Sequence, residues 1–211
     1  MLHTGVMHPE TPQGSSGTPI ATLILPSFIT GTGTIDTNKL QSAVKVAVRD
    51  MDRLLNVSHF PSESTRRTVL FTRSIGIGVQ GLADVLRSIG VPYGSSRARQ
   101  INCGIFEAVY IAAVESSAEL AAHDGRCVAW TGSPAEQRRL QVDLWGASFR
   151  EADPGSIRES VARHGLRNLA LTAQTFNDPT SRLWNCSDSV VPVTRSVPLL
   201  RPGRRTNPIP V

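Results

Sequence analysis

Apolar residues return every three or four positions in two long and two shorter stretches of the chain, and cluster in short runs between them. Leu40, Val44, Ala47, Met51 and Leu55 fall on one face of a helix predicted from about 37 to 56, with Asp36 as its N-cap. Ile101, Ile105, Val109, Ala112 and Leu120 share a stripe on a longer helix, from about 97 to 124. The small residues Ala112, Ala113 and Ala118 let that helix pack closely, and Gly125 ends it. Leu82, Leu86 and Ile89 predict a shorter helix from about 79 to 89 closed by Gly90, and 156 to 164 forms another stopped by Gly165.

Three runs read as strands: Ile20 to Ile29, interrupted by Pro26; Gln141 to Trp145, which alternates; and Leu169 to Thr172, which reads as buried. Helices alternating with short buried strands give an α/β fold. Residues 1–19, rich in Gly, Pro, Ser and Thr, are expected to be a flexible segment, residues 20–189 the folded body, and residues 190–211 a disordered basic tail. No internal repeat is present.

Composition adjusts this picture little. Hydrophobic residues make up 40% and charged residues 18%, ordinary globular usage despite 14 prolines. The net charge of +5 is concentrated in Arg195, Arg201, Arg204 and Arg205, without which the chain is close to neutral. A solvated tail is preferred to a nucleic-acid patch, so nucleic acid is not an expected partner. No apolar run reaches the roughly 18 residues of a membrane span, and there is no secretory signal pattern. A cytoplasmic protein is expected.

Candidate chemistry is sparse. Cys103, Cys127 and Cys186 are widely spaced and form no C-x-x-C pair, which argues against a disulfide scaffold or a zinc site. His3, His8, His59, His123 and His164 lack metal-ligand spacing, and Glu115 and Glu119, four apart, read as a solvated helix face. No metal or cofactor is expected. Gly76-x-Gly78-x-x-Gly81 has the glycine spacing of a dinucleotide loop, but Thr68 to Ser74 is too polar for the buried strand that must precede one. Close backbone packing at a helix start is the preferred reading.

The segment Arg73-Ser-Ile-Gly-Ile-Gly-Val-Gln-Gly-Leu-Ala-Asp84 resembles a signature of the large subunits of class I ribonucleotide reductases. Other parts follow in that family's order: Val46 to Leu55, His59-Phe-Pro61, Ile105 to Ala113, and Gly165-Leu-Arg-Asn168. The resemblance spans about Ala21 to Ser189. Asn185-Cys-Ser-Asp188 and Asp143-Leu-Trp145 are most similar to herpesvirus-like members. It implies part of an α/β barrel with long helices. In that family a cysteine radical and a reducing cysteine pair act on a ribonucleoside diphosphate, whose phosphates are held by backbone amides.

Position by position, the resemblance implies that this chemistry is missing. Ala21 stands where a reducing cysteine belongs, and a methyl group can neither donate an electron nor form a disulfide. Residues 1–20 contain no cysteine for the radical, and the chain is expected to lack the family's paired tyrosines and C-terminal cysteines. Phe176, Asn177, Asp178, Pro179, Thr180 and Ser181 occupy the phosphate loop. There Phe176 is bulky, Pro179 has no amide proton, and Asp178 would oppose a phosphate at about 1 to 4 kcal/mol. Only Thr180 and Ser181 keep the family's character.

The expectation is therefore a non-catalytic large-subunit-like protein, viral and working through host or virion proteins, a small-subunit-like partner or self-association. The alternative is a piece of an active ribonucleoside-diphosphate reductase, and a third is a basic adaptor for nucleic acid. A partial barrel with open strand edges is expected to be oligomeric or partner-bound.

Overall fold

The computed structural model describes residues 17–150 and 153–192. The expectations for residues 1–16 and for the four tail arginines lie outside the described residues. The apolar run after Gly17 forms β1 (Ile20–Ile24), and Pro26, which cannot donate to a ladder, turns the chain into a short 3-10 segment, Leu25–Phe28. Helix α1 (Thr37–Val57) follows, its N-terminus capped by the Asp36 carboxylate, which accepts from the Lys39 amide at 2.9 Å. It buries Leu40, Val44, Val48 and Leu55, while Ala47 and Met51 of the predicted stripe are only partly buried.

Helix α2 (Glu63–Thr72) carries few apolar residues and was not visible in the periodicity. Ser62 caps it by accepting from Thr65, and Glu63 pairs with Arg66 and Arg67 in its first turns. The glycine string then corrects the sequence reading. Gly76–Gln80 is itself a strand, β2, buried along its whole length, so Val79 and Gln80 leave the predicted helix and α3 runs only from Leu82 to Ser88. Glycine is a poor strand former in isolation, and its selection here is steric. A Cβ on Gly78 would lie 2.5 Å from the Ala173 carbonyl oxygen, and one on Gly76 would lie 2.8 Å from the Ala173 Cβ.

β1 and β2 pair in parallel, Ile20 against Gly76 through Ile24 against Gln80. On the other side of β2 runs the extended segment Leu169 to Ala173: the Ile75 and Ile77 amides donate to the Ala170 and Leu171 carbonyls, and the Ala173 amide donates to Ile77. The predicted buried strand is therefore an irregular third row whose regular pairing is limited to one bridge, Ile77 to Thr172, and Leu169 and Thr172 are exposed.

Helix α4 (Ser96–Asp124) runs as predicted and makes its most extensive helix contact with α1, where the Ser116 hydroxyl donates to the Lys45 carbonyl, and its small residues Ala108, Ala112, Ala113 and Ala118 are all buried. The expected strand at Gln141 to Trp145 is instead a single helical turn, α5 (Gln141–Leu144). Leu140 at its start is buried and Val142 packs against the core, and Asp143 folds back to accept from the Leu140 amide at 2.8 Å. Four alternating residues are too few to separate the two periods. Helices α6 (Pro154–His164) and α7 (Asp178–Leu183) complete the described fold, a mixed helical and sheet assembly around a small open parallel sheet.

Candidate functional site

Two polar constellations stand out, one sealed in the core and one at the carboxyl ends of the parallel strands. The first begins at Arg73, the C-cap of α2, held in the left-handed region at φ +46. A non-glycine residue there is disfavoured, and what holds it is its side chain. The guanidinium donates through Nε to the Asp52 carboxylate at 2.9 Å, through Nη1 to Asn56 at 3.0 Å and through Nη2 to the Asp52 carbonyl at 3.0 Å. Asn168 donates to the same carboxylate at 3.0 Å and to the Arg73 carbonyl at 2.9 Å, while Ser117 of α4 donates to Asn168. Arg167 lies 3.6 Å from the second Asp52 oxygen and closes the end of α4 through the Asp124 and Gly125 carbonyls. Asp52, Arg73 and Asn168 are all nearly inaccessible, so this hub ties α1, α2, α4 and the third row together and offers nothing to a ligand.

The second constellation lies where open α/β sheets bind their ligands, beyond the strand ends. Thr22, one residue past Ala21 on β1, accepts from the Asn177 side-chain amide at 3.3 Å. Gln80, at the end of β2, donates to the Thr180 hydroxyl at 2.5 Å. The fold thus brings β1 beside Ala21, the end of β2 and the 176–181 segment into contact. Ala21 itself is half-buried against Ile77 and packed on the apolar core. Phe176 is exposed, Asp178 pairs with Arg182 at 3.0 Å, and Ser181 is buried with its hydroxyl on the Asp178 carbonyl. Pro179 sits in the first turn of α7.

Sequence reasoning gave no role to the contacts that residues 184–189 make with this constellation. The Asn177 amide donates to the Asp188 carboxylate at 2.7 Å, Gln174 donates to Ser189 at 2.7 Å, and the Ser187 amide donates to Asp84 at 2.5 Å. Asp84 and the Asn185–Asp188 segment carried a signal only through the family resemblance, and Gln174 and Ser189 carried none. The three cysteines come nowhere near one another as a pair: Cys103 lies on α4, Cys127 is buried, and Cys186 reaches Gln80. Burial raises the Cys186 thiol pKa, with Asp84 and Asp188 adding to the rise, so it is a poor thiolate.

A cavity of about 620 Å³ opens elsewhere, between α4 and α5, lined by Phe106, Tyr110, Val142, Trp145 and Phe149 with Gln174 at its edge. Glu107, its acidic wall, accepts the Arg150 amide on both oxygens. Glu115 and Glu119 pair with Lys45 and Arg49 across the α1–α4 contact, and among the described residues no His, Cys, Asp and Glu cluster could hold a metal.

Residues 6–200 match the family model for the ribonucleotide reductase barrel domain. The chain belongs to the ribonucleotide reductase large-subunit barrel family. It is 33% identical over 197 residues to a ribonucleoside-diphosphate reductase large chain of Schizosaccharomyces pombe, covering 93% of this chain and 24% of that one. A large subunit from Caenorhabditis elegans is 32% identical over 93% of the chain, and one from Trypanosoma brucei brucei 34% identical over 84%. The chain spans about a quarter of the length of the curated relatives it matches. Among the described residues no helix is long and apolar enough to cross a membrane. In ribonucleotide reductase terms, the signature segment contributes β2, Arg73 of the hub, and Gln80, Gly81 and Asp84 at the crevice.

Proposed function

We propose that this chain is a ribonucleotide reductase large-subunit relative that does not reduce ribonucleotides and acts by binding other proteins. The observation that carries the reading is Ala21. By its resemblance to the family, this position on β1 belongs to a reducing cysteine, and its neighbour Thr22 touches the segment that would hold substrate phosphate. A cysteine there is half of a two-electron donor, and an alanine leaves no sulfur to oxidise. The phosphate loop supports the same reading. Asp178 puts a carboxylate into it, Pro179 withholds an amide, and the Asn177 amide is already engaged by Asp188. An intact core beside missing chemistry fits a fold retained for its surface.

The similarity of Asn185 to Asp188 and of Asp143 to Trp145 to herpesvirus-like members favours a viral role in the host cytoplasm or virion, with host or virion proteins, a small-subunit-like protein or a second copy as partners. The test is turnover. The chain, mixed with an active small subunit and a dithiol reductant, is expected to convert no ribonucleoside diphosphate to its deoxy form, and Ala21→Cys alone is expected to leave it inactive. Product above the small-subunit control would overturn the proposal. The relatives, all large subunits that the chain matches over only a fraction of their length, favour a second reading, a piece of a working enzyme. That reading requires turnover once a relative's remaining segments are joined to this chain.

A further inference from the structure

The cavity between α4 and α5 is walled by aromatic rings. Phe106, Tyr110 and Phe149 are partly buried against the core, and the Phe149 ring stands 6.1 Å from that of Tyr110 at 31°. Trp145, which also lines the cavity, is 71% exposed. The volume of about 620 Å³ falls within the range of small-molecule sites, roughly 300 to 1,000 Å³. One peptide unit on its wall is open for bonding. Ile77 donates to the Leu171 carbonyl and accepts from the Ala173 amide, so the intervening Thr172 directs its own N–H and C=O away from β2. Among the described residues neither group has a backbone partner. Thr172 is exposed and lines the cavity. The lining carries one acid and one base, Glu107 and Arg150, and Glu107 accepts the Arg150 amide on both oxygens at 2.9 and 3.0 Å. Burial raises the Tyr110 phenol above its ordinary pKa, so that ring stays neutral.

We infer that this cavity is a binding site for an uncharged planar aromatic molecule with an N–H and a C=O side by side on one edge, a bicyclic lactam in its simplest form. The ring system lies among Phe106, Tyr110, Trp145 and Phe149, where offset and edge-to-face contacts between rings are favourable. Its polar edge meets Thr172: the ligand N–H donates to the Thr172 carbonyl, and the Thr172 amide donates to the ligand carbonyl. Burying that peptide against a ligand edge that lacked either group would leave it unsatisfied, which gives the site its selectivity. With one acid and one base on its wall the cavity has no net charge, so a neutral ligand is favoured over a phosphorylated one. The site is separate from Ala21 and from the 176–181 segment, and its occupancy does not depend on whether the chain reduces ribonucleotides.

The probe is 2-quinolinone, and the reporter is Cys103, a partly exposed thiol on the cavity wall. On the full chain, labelling of Cys103 by iodoacetamide, read by mass spectrometry, should slow by about fivefold or more at saturation. So small a ligand should bind with a Kd on the order of 0.1 mM. Cys186, which bonds to Gln80 outside the cavity, should label at an unchanged rate. Ala147→Trp fills the cavity from an exposed loop position and should abolish protection. Trp145→Ala removes an exposed ring and leaves the core intact, so it keeps the test open if the first variant misfolds, and it should weaken binding about threefold or more. Thr172→Pro deletes the outward amide, a change that a sheet edge tolerates, and N-methyl-2-quinolinone lacks the matching ligand donor. Each should weaken binding about fivefold or more. No protection at millimolar 2-quinolinone, protection undiminished in both Ala147→Trp and Trp145→Ala, equal binding of the N-methyl compound, or displacement of the probe by ADP would overturn the proposal.

Discussion

Asp52 holds Arg73 and Asn168 on one oxygen and faces Arg167 with the other, at 3% exposure. Removing one partner of a buried ionic group leaves the rest uncompensated, so Asp52→Ala should cost about 3 to 5 kcal/mol in a denaturant titration. A loss below about 1 kcal/mol would show that the hub is not buried in solution. Two glycines should respond in opposite directions. Gly78→Ala forces a methyl to within 2.5 Å of the Ala173 carbonyl and should destabilise by about 1 to 3 kcal/mol or prevent folding. Gly104→Ala meets nothing within 4 Å inside α4 and should stabilise by about 0.5 to 1 kcal/mol, read as a raised melting temperature. At this scale Asp36 was legible, because a cap is a local fact. The role of Arg73 was not, since its partners Asp52 and Asn168 are distant in sequence and only the fold brings them together.

Helices with a full apolar stripe were legible to within a residue or two. The predicted 37–56 and 97–124 correspond to Thr37–Val57 and Ser96–Asp124. What failed was short or unusual in composition: β2, whose glycines signal a turn in isolation but are demanded by the approach of Ala173, and α5, four residues long. α5 is tied to α4 by the Gln141 amide, which donates to the Tyr110 hydroxyl, and to α6 by an ion pair. Arg158 of α6 donates to Asp143 at 2.5 Å, and this bond holds the Asp143 carboxyl below its ordinary pKa. A pKa depressed by folding adds stability above the unfolded value and loses it as pH falls through the folded one. The stability difference between wild type and Arg158→Ala should therefore be present near neutrality and shrink below about pH 4. A difference independent of pH would mean that Arg158 acts by packing alone.

The three parallel rows form no closed sheet, and exposed residues such as Leu169 and Thr172 border the outer row. Open parallel edges invite pairing, and Leu144, Trp145, Leu183 and Trp184 add exposed apolar surface. The isolated chain should elute larger than one protomer in size-exclusion chromatography with light scattering, and a monodisperse monomer that unfolds cooperatively would contradict this. The family was legible in the sequence at this scale, because the order and spacing of its segments survive along the chain. The contacts between residues 80 to 84 and 180 to 187 were not, since the fold alone brings those distant segments together. The Asp52 hub also imposes an order on the chain's birth. Asp52 and Arg73 can meet soon after both leave the ribosome, but Asn168 lies 95 residues beyond Arg73. At about 5–20 residues per second its arrival takes roughly 5 to 19 s, during which a half-satisfied carboxylate and two long helices wait in the cell. A nascent chain stalled before Asn168 should therefore be the form that chaperones hold longest.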